Sequence, residues 1–218
     1  MTTAKTDEQL LADFVAGRRP ALGELAERYE TALLGLAAGL LGGRRDLAAD
    51  AVQETWLRVI RFGGQFAGQS RFKTWVYRIA VNQCRNLQAA ARPAAAPGGV
   101  ATDATQAGNS SVGGQPVLEN MPDRGASPAG VALEAEQNHV LRRAVVRLDD
   151  DKRIIVLLCY HSGMTHEQAA EILELPLGTL KSRLHAALVE LREMLSADGP
   201  NSAVRTDAND KPTAGGGL

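Results

Sequence analysis

Residues 92–130 of this 218-residue chain are rich in Ala, Gly, Pro and Ser, with almost no large apolar side chains. No single hydrophobic core can run through them. On either side the pattern changes. Residues 7–91 and 131–197 repeat apolar side chains every three or four positions, the period of a helix packed on one face. From Asp198 onward the chain runs out to Gly-Gly-Gly-Leu with no such period, as a disordered tail does. The arrangement expected is all-α: two small helical domains, 7–91 and 131–197, joined by a flexible linker over 92–130 and followed by a disordered tail over 198–218. Aromatic residues are only 4% of the chain, which disfavours a large β fold, and no internal repeat is present.

Local signals place the helices. Leu10, Leu11, Phe14 and Val15 suggest a short first helix. Pro20 suits the first turn of a second, striped by Leu22, Leu25, Ala26, Tyr29, Leu33, Leu36 and Leu40 and ended by Gly42-Gly43. Asp46 can cap a third helix over roughly 47–61, and Ser70 a fourth that Pro93 stops. In the second domain Ser127-Pro128 opens a helix through about Leu148, and Asp149-Asp150 opens the next. Thr165 and Gln168 have the spacing of a capping box for a short helix to Glu174. Leu175–Gly178 reads as a turn, and a last helix follows from about Thr179 to Leu195.

Net charge is −1 and the isoelectric point about 6.4, so any grip on nucleic acid has to come from local charge. The segment Arg58–Arg92 supplies it. Seven basic residues and five of the nine aromatics fall there, with no Asp or Glu. Cations interleaved with rings suit single-stranded nucleic acid: charge holds phosphates while rings stack on unpaired bases, at about 1–3 kcal/mol per base. On a helix, Arg71, Trp75, Arg78, Asn82 and Arg85 fall within an arc of roughly 80°, with Phe72, Val76, Ile79 and Leu87 centred about 120° away. One face can be buried while the other offers charge, a ring and an amide.

The preceding helix places Asp50, Gln53, Glu54 and Leu57 on one face and Val52, Trp56, Val59 and Ile60 on another. An acidic strip beside an apolar one can dock a basic partner helix, although a solvated face has the same pattern. In the second domain Ala169, Ala170, Leu173, Leu175, Leu180 and Leu184 stand where two crossing helices need small or apolar residues. Leu188 and Leu191 continue the buried face of the last helix. Thr179, Lys181, Ser182, Arg183 and His185 lie off that face near its start, as in a helix that reads duplex DNA in the major groove.

No nucleophile motif or phosphate-binding glycine loop occurs, so no catalytic residue is expected. Cys159, His161 and His166 lack a fourth ligand for zinc, and neither metal nor cofactor is expected. Two cysteines cannot build a disulfide framework. No signal peptide or membrane span is evident, and a cytoplasmic location is expected. Two other readings fit the residues at this point. A helix-turn-helix regulator acting alone leaves the acid-free aromatic segment unexplained. A helical interaction module predicts no salt-dependent binding of nucleic acid.

The run Asp50-Ala-Val-Gln53-Glu54-Thr-Trp56 resembles the D-x-V-Q-E-x-(F/W) motif of sigma region 2, and Phe66–Asn82 resembles the F-x-G-x-S…T-W…Y-R-I-A-x-N run that follows it. Residues 163–186 resemble sigma region 4. Two long motifs in that order make the chain similar to the extracytoplasmic-function (ECF) sigma factors over most of 7–197. The resemblance implies a non-catalytic subunit that binds core RNA polymerase and directs it to promoter DNA. Asp50, Gln53 and Glu54 match residues that dock on polymerase. Phe66, Ser70, Arg71, Lys73, Trp75, Tyr77, Arg78, Asn82 and Arg85 match the part that melts and holds single-stranded promoter DNA. Thr179, Lys181, Ser182, Arg183 and His185 match the duplex reader. An anti-sigma protein is a further partner the resemblance implies; membrane insertion and a small-molecule substrate are not expected.

Overall fold

Helix α1 (Asp7–Val15) begins at Thr6. Its hydroxyl accepts from the Gln9 N–H while the Gln9 side chain accepts from the Thr6 N–H, a complete capping box. Pro20 takes the first position of α2 (Pro20–Leu40), where its missing N–H is not needed. Leu25, Tyr29, Leu33, Leu36 and Leu40 then form one buried stripe. Helix α3 spans Arg45–Phe62, and a single 3-10 turn (Gly63–Gln65) leads toward α4 (Phe72–Ala91). The second half comprises α5 (Pro128–Arg147), α6 (Asp150–Val156), a π turn (Leu157–His161), α7 (His166–Leu173) and α8 (Leu177–Ala197).

The computed structural model describes residues 5–91 and 128–197, with side chains in the second stretch from residue 138. Among the described residues every regular element is helical. The linker expected over 92–130 and the tail expected over 198–218 lie outside the described residues, except for 128–130, which open α5.

Most local signals hold. Asp149 accepts from the Lys152 N–H at 2.8 Å and caps α6, and Thr165 with Gln168 forms the capping box of α7. Three differ. Asp46 does not cap α3; it lies inside the first turn, where a carboxylate favours the positive end of the helix dipole. Ser70 does not cap α4. The Phe72 N–H donates instead to a Glu8 carboxylate oxygen at 2.9 Å, supplied across space by α1. Helix α8 begins two residues before Thr179, because the Pro176 carbonyl already accepts from the Leu180 N–H at 3.1 Å.

The two halves also share a seam, whereas the sequence pattern predicts only a tether between them. Helix α7 packs on α4, and the π turn and α6 pack on α2. Gly35 and Gly39 lie inside α2, where each costs about 1 kcal/mol of helix stability relative to Ala. Together they leave a notch one turn apart on one face. A Cβ at Gly35 would fall 2.5 Å from His161 Nε2, and one at Gly39 would fall 2.9 Å from Leu157 Cδ1. Burial lowers the His161 pKa below its ordinary value. The Leu40 carbonyl, in the last turn of α2 where helical partners run out, accepts from Gln88 at 2.9 Å and Arg153 at 3.3 Å. A contact between segments so distant in sequence leaves no periodic mark, so helical spacing alone does not reveal it.

Two stability features are open to measurement. Glu174 ends α7 with φ 55° and ψ 41°, a left-handed conformation that costs a side-chain-bearing residue about 1–2 kcal/mol. Its N–H donates to the Glu171 carbonyl and the Leu175 N–H to the Ala170 carbonyl, the pattern that glycine usually closes. Glu174→Gly should raise stability by about 0.5–1 kcal/mol, after allowing for the extra entropy of glycine in the unfolded chain. A urea midpoint that fails to rise would remove the strain assigned here. Cys84 is buried, and desolvation pushes its thiol up to about 12. Iodoacetamide at neutral pH should spare Cys84 in the native chain and label it once the chain is unfolded in urea; peptide mapping reads the difference.

Candidate nucleic-acid interface

Helix α4 is fixed by what it buries. Phe72, Val76, Tyr77, Ala80, Val81 and Cys84 enter the core. Phe72 packs edge-on to Tyr29 with ring centroids 5.6 Å apart. Beside this anchor two more rings pack at the edge of the core. Trp75 lies 6.0 Å from Phe72 and 5.3 Å from Phe66, and both Trp75 and Phe66 are half-buried. Arg71 and Asn82 are exposed, and Arg78 and Arg85 half-buried, along the same side of the helix. The face expected from helical spacing is therefore present, with cations, an amide and a ring in sequence.

The loop before α4 is placed from beneath by α1. Leu11 and Val15 lie close enough to Gly63, and Val15 to Gly64, that a side chain at either glycine would meet them. Gly68 has φ +67°, the left-handed turn that brings Ser70 and Arg71 to the helix start. A groove of about 500 Å³ opens there, lined by Glu8, Ser70, Arg71 and Thr74 on one side and by Gln168 and Glu171 of α7 on the other. Glu8 was not singled out by the sequence pattern. A lone carboxylate on a surface helix has no signature, and its role appears only when α1 is seen against the start of α4.

One predicted residue does not lie on the exposed side. Tyr77 is 1% exposed, and its ring is edge-on to Tyr29 at 6.4 Å. Burial raises the pKa of its hydroxyl, and the nearby Ser162 offsets part of that rise. Its position in the helical repeat, two residues after Trp75, turns it into the core. Arg78 is on the expected side and Lys73, two residues after Arg71, is on the opposite one beside Tyr77; both are engaged. Lys73 donates to the Ser162 carbonyl at 3.0 Å, with its ammonium 5.8 Å from the Tyr77 ring centroid. Arg78 donates to the Glu171 carbonyl at 2.8 Å.

On α3, Asp50, Gln53 and Glu54 are all exposed. Glu54 pairs with Arg58 at 3.3 Å, one turn along, a surface pair of small energetic weight. Leu57 is 52% and Ile60 49% exposed, continuing the Gln53 side of the helix. Ile60 thus parts from Val52 and Val59, with which helical spacing groups it and which are buried. An acidic and amide strip with two exposed aliphatic side chains beside it suits a protein partner better than a solvated face does.

In the second half, Ala169, Ala170, Leu173, Leu180 and Leu184 are buried where α7 crosses α8. Lys181, Ser182 and His185 are exposed, and Thr179 and Arg183 half-buried, at the start of α8. Arg183 donates to Asp151 of α6 at 3.0 Å, so a phosphate there has to displace a carboxylate. Among the described residues no cluster of three or more His, Cys, Asp or Glu side chains is arranged to hold a metal ion, and no helix is long and apolar enough to cross a membrane.

Comparison with known proteins gives matches to both halves. A model of sigma-70 region 2 matches residues 25–92 and one of sigma-70 region 4 matches residues 139–191, together more than half of the chain. The RNA polymerase sigma-H factor of Pseudomonas aeruginosa is 29% identical over 187 residues, 86% of this chain and 92% of that protein. The ECF RNA polymerase sigma-E factor of Escherichia coli K12 is 30% identical over 189 residues, 86% of this chain and 93% of that protein. The solved structure of CnrH, in complex with the cytosolic domain of CnrY, shares the fold with a TM-score of 0.62 at 22% identity, over 89% of this chain and 100% of that one.

Proposed function

Since the chain belongs to the sigma-70 family, and within it to the ECF type, we propose that its separate faces divide the work of promoter recognition. It is a sigma factor: it binds core RNA polymerase and directs initiation at a class of promoters. In the proposed division, α3 docks on polymerase through Asp50, Gln53 and Glu54, with Leu57 and Ile60 adding apolar contact. The start of α8 reads duplex DNA through Thr179, Lys181, Ser182, Arg183 and His185. Helix α4 and its preceding loop capture strands that have come apart, through Phe66, Ser70, Arg71, Lys73, Trp75, Arg78, Asn82 and Arg85.

The observation that carries the α4 assignment is the pair of half-buried rings at the core's edge, Phe66 and Trp75, 5.3 Å apart on a segment with no carboxylate of its own. Unstacking a base costs a few kcal/mol. A ring that takes the freed base and a guanidinium that takes its phosphate offset that cost only after the strands separate. The interaction therefore favours the melted state over the duplex, as strand opening requires. In this reading the chain makes and breaks no bond itself, needs no cofactor, and acts in the cytoplasm alongside polymerase. An anti-sigma protein is the third partner; CnrH, whose fold is shared, was itself solved in complex with the cytosolic domain of CnrY.

Two experiments on reconstituted holoenzyme test the division. Trp75→Ala should lower promoter opening by about five- to one-hundred-fold, the worth of one base stack of about 1–3 kcal/mol, with polymerase affinity unchanged. Unimpaired opening, read by permanganate reactivity of unpaired thymines, would remove Trp75 from the reading face. Asp50→Asn with Glu54→Gln should weaken polymerase binding by about ten-fold and leave the unbound chain as stable as before. An unchanged dissociation constant in a fluorescence titration would discard the docking role of α3.

A further inference from the structure

The side chains assigned to duplex DNA differ in what holds them. Lys181, Ser182 and His185 are exposed, whereas Arg183 is half-buried and tied down. Its Nη1 donates to the Asp151 carboxylate of α6 at 3.0 Å. Side-chain exposure is 41% for Arg183 and 60% for Asp151, so water screens the pair and it adds little to folding. Its consequence lies in the guanidinium that it holds.

The fold keeps that carboxylate in place. The first turn of α6 meets α8 with two adjacent residues of opposite sign: Asp151 pairs with Arg183, and Lys152 pairs with Glu190 at 2.7 Å. Arg183 and Glu190 stand two turns apart on one side of α8. Lys152 also pairs at 2.9 Å with Asp149, the residue that caps α6. Beneath these bonds α6 packs on α8, with Ile154 and Ile155 buried on one helix and Leu184, Ala187 and Leu191 on the other. An arginine loses rotamer freedom when it meets a ligand; one already held by a fixed carboxylate has lost it beforehand.

Asp151 also decides which ligand suits the guanidinium. Its bond uses Nη1, which leaves the Nε and Nη2 hydrogens along one edge of the fork. The pair is neutral as a whole, so its long-range pull on phosphate is weak, and a phosphate at that edge sets a second negative charge beside the carboxylate. Guanine offers the same edge two neutral acceptors, O6 and N7, and meets no such repulsion. We propose that Asp151 is a positioning residue for promoter recognition: it fixes Arg183 as a reader of guanine in the major groove and keeps it from acting as a phosphate clamp. The proposal deepens the assignment of the start of α8 to duplex DNA and rests on it.

The test uses holoenzyme reconstituted with the full chain. Bound duplexes are selected from a randomised promoter library and sequenced, which gives the preference at each base pair. Fluorescence anisotropy at several salt concentrations then gives affinity for a selected duplex and for one with the guanine replaced. Arg183→Ala marks the base pair that Arg183 reads, as a guanine preference of about five- to one-hundred-fold that disappears. Asp151→Ala should cut that preference to about three-fold or less, tighten binding to the duplex that lacks the guanine, and steepen the slope of log affinity against log salt by about one. Preferences at other positions should stay as they are. Asp151→Asn still offers Nη1 an oxygen but carries no charge. It should recover most of the guanine preference and keep the steeper salt dependence.

A purely structural pair behaves differently: Asp151→Ala then weakens every sequence alike or changes none. Either result overturns the proposal and leaves the α8 assignment standing. The same holds if Arg183→Ala lowers the salt slope by about one with no change in base preference, because Arg183 is then a phosphate contact. A wild-type holoenzyme that selects no upstream sequence removes the α8 assignment, and the proposal with it. Urea unfolding checks that each variant enters the assay folded.

Discussion

The anchoring of helix α4 is the constraint on which the amino-terminal half depends. A helix that shows cations and rings to solvent gains nothing from them in folding, so its other face has to hold it. Phe72, Val76, Ala80 and Cys84 do this from below, and the Glu8 carboxylate holds the first backbone N–H at the amino end. The second contact also ties α1 to the start of the reading helix. Without α1, the loop around Gly63–Gly68 loses the Leu11 and Val15 side chains beneath it. Rings can offer a fixed surface to an unpaired base only when both supports are in place, because a mobile ring loses in ordering entropy much of what stacking returns.

The same helix takes part in a competition that composition does not show. Its free hydrogen-bonding groups, Lys73 and Arg78, find carbonyl acceptors in the other half of the chain. Those bonds are modest in net terms, about 1 kcal/mol each, because water offers a similar exchange. The seam is therefore held mainly by shape, where Leu157 and His161 enter the notch of α2, and only secondarily by polar bonds. Shape complementarity is lost steeply with small displacements, so the fit at the notch fixes the seam more closely than the polar bonds do.

Much of this was legible in the sequence. The all-helical architecture, the two halves, the capping box at Thr165 and the exposed side of α4 all follow from period and from end signals. What was not legible shares one cause: each feature depends on a neighbour distant along the chain. Ser70 looked like the natural cap for α4 because local spacing cannot reveal a carboxylate brought in by α1. Tyr77 looked like part of the DNA face because it belongs to the same motif, yet its angular position carries it inward against Tyr29. Ile60 groups by spacing with Val52, Trp56 and Val59, yet it is 49% exposed while Val52 and Val59 are buried. Gly35 and Gly39 read as weak points of a helix until the π turn is found seated on them.

Charge on this chain acts locally. With a net charge of −1, the chain has no general attraction for DNA, and its cations are concentrated on an acid-free segment. Such a segment would still draw non-specific single strands by counterion release if it stood open. Glu171 of α7 lies 3.5 Å from Arg78 and offsets that one cation, whose Nε is left buried without a hydrogen-bond partner. The acidic strip of α3 is exposed, as are Arg71 and Asn82 on α4, while Lys73 and Arg78 are engaged by carbonyls of the other half.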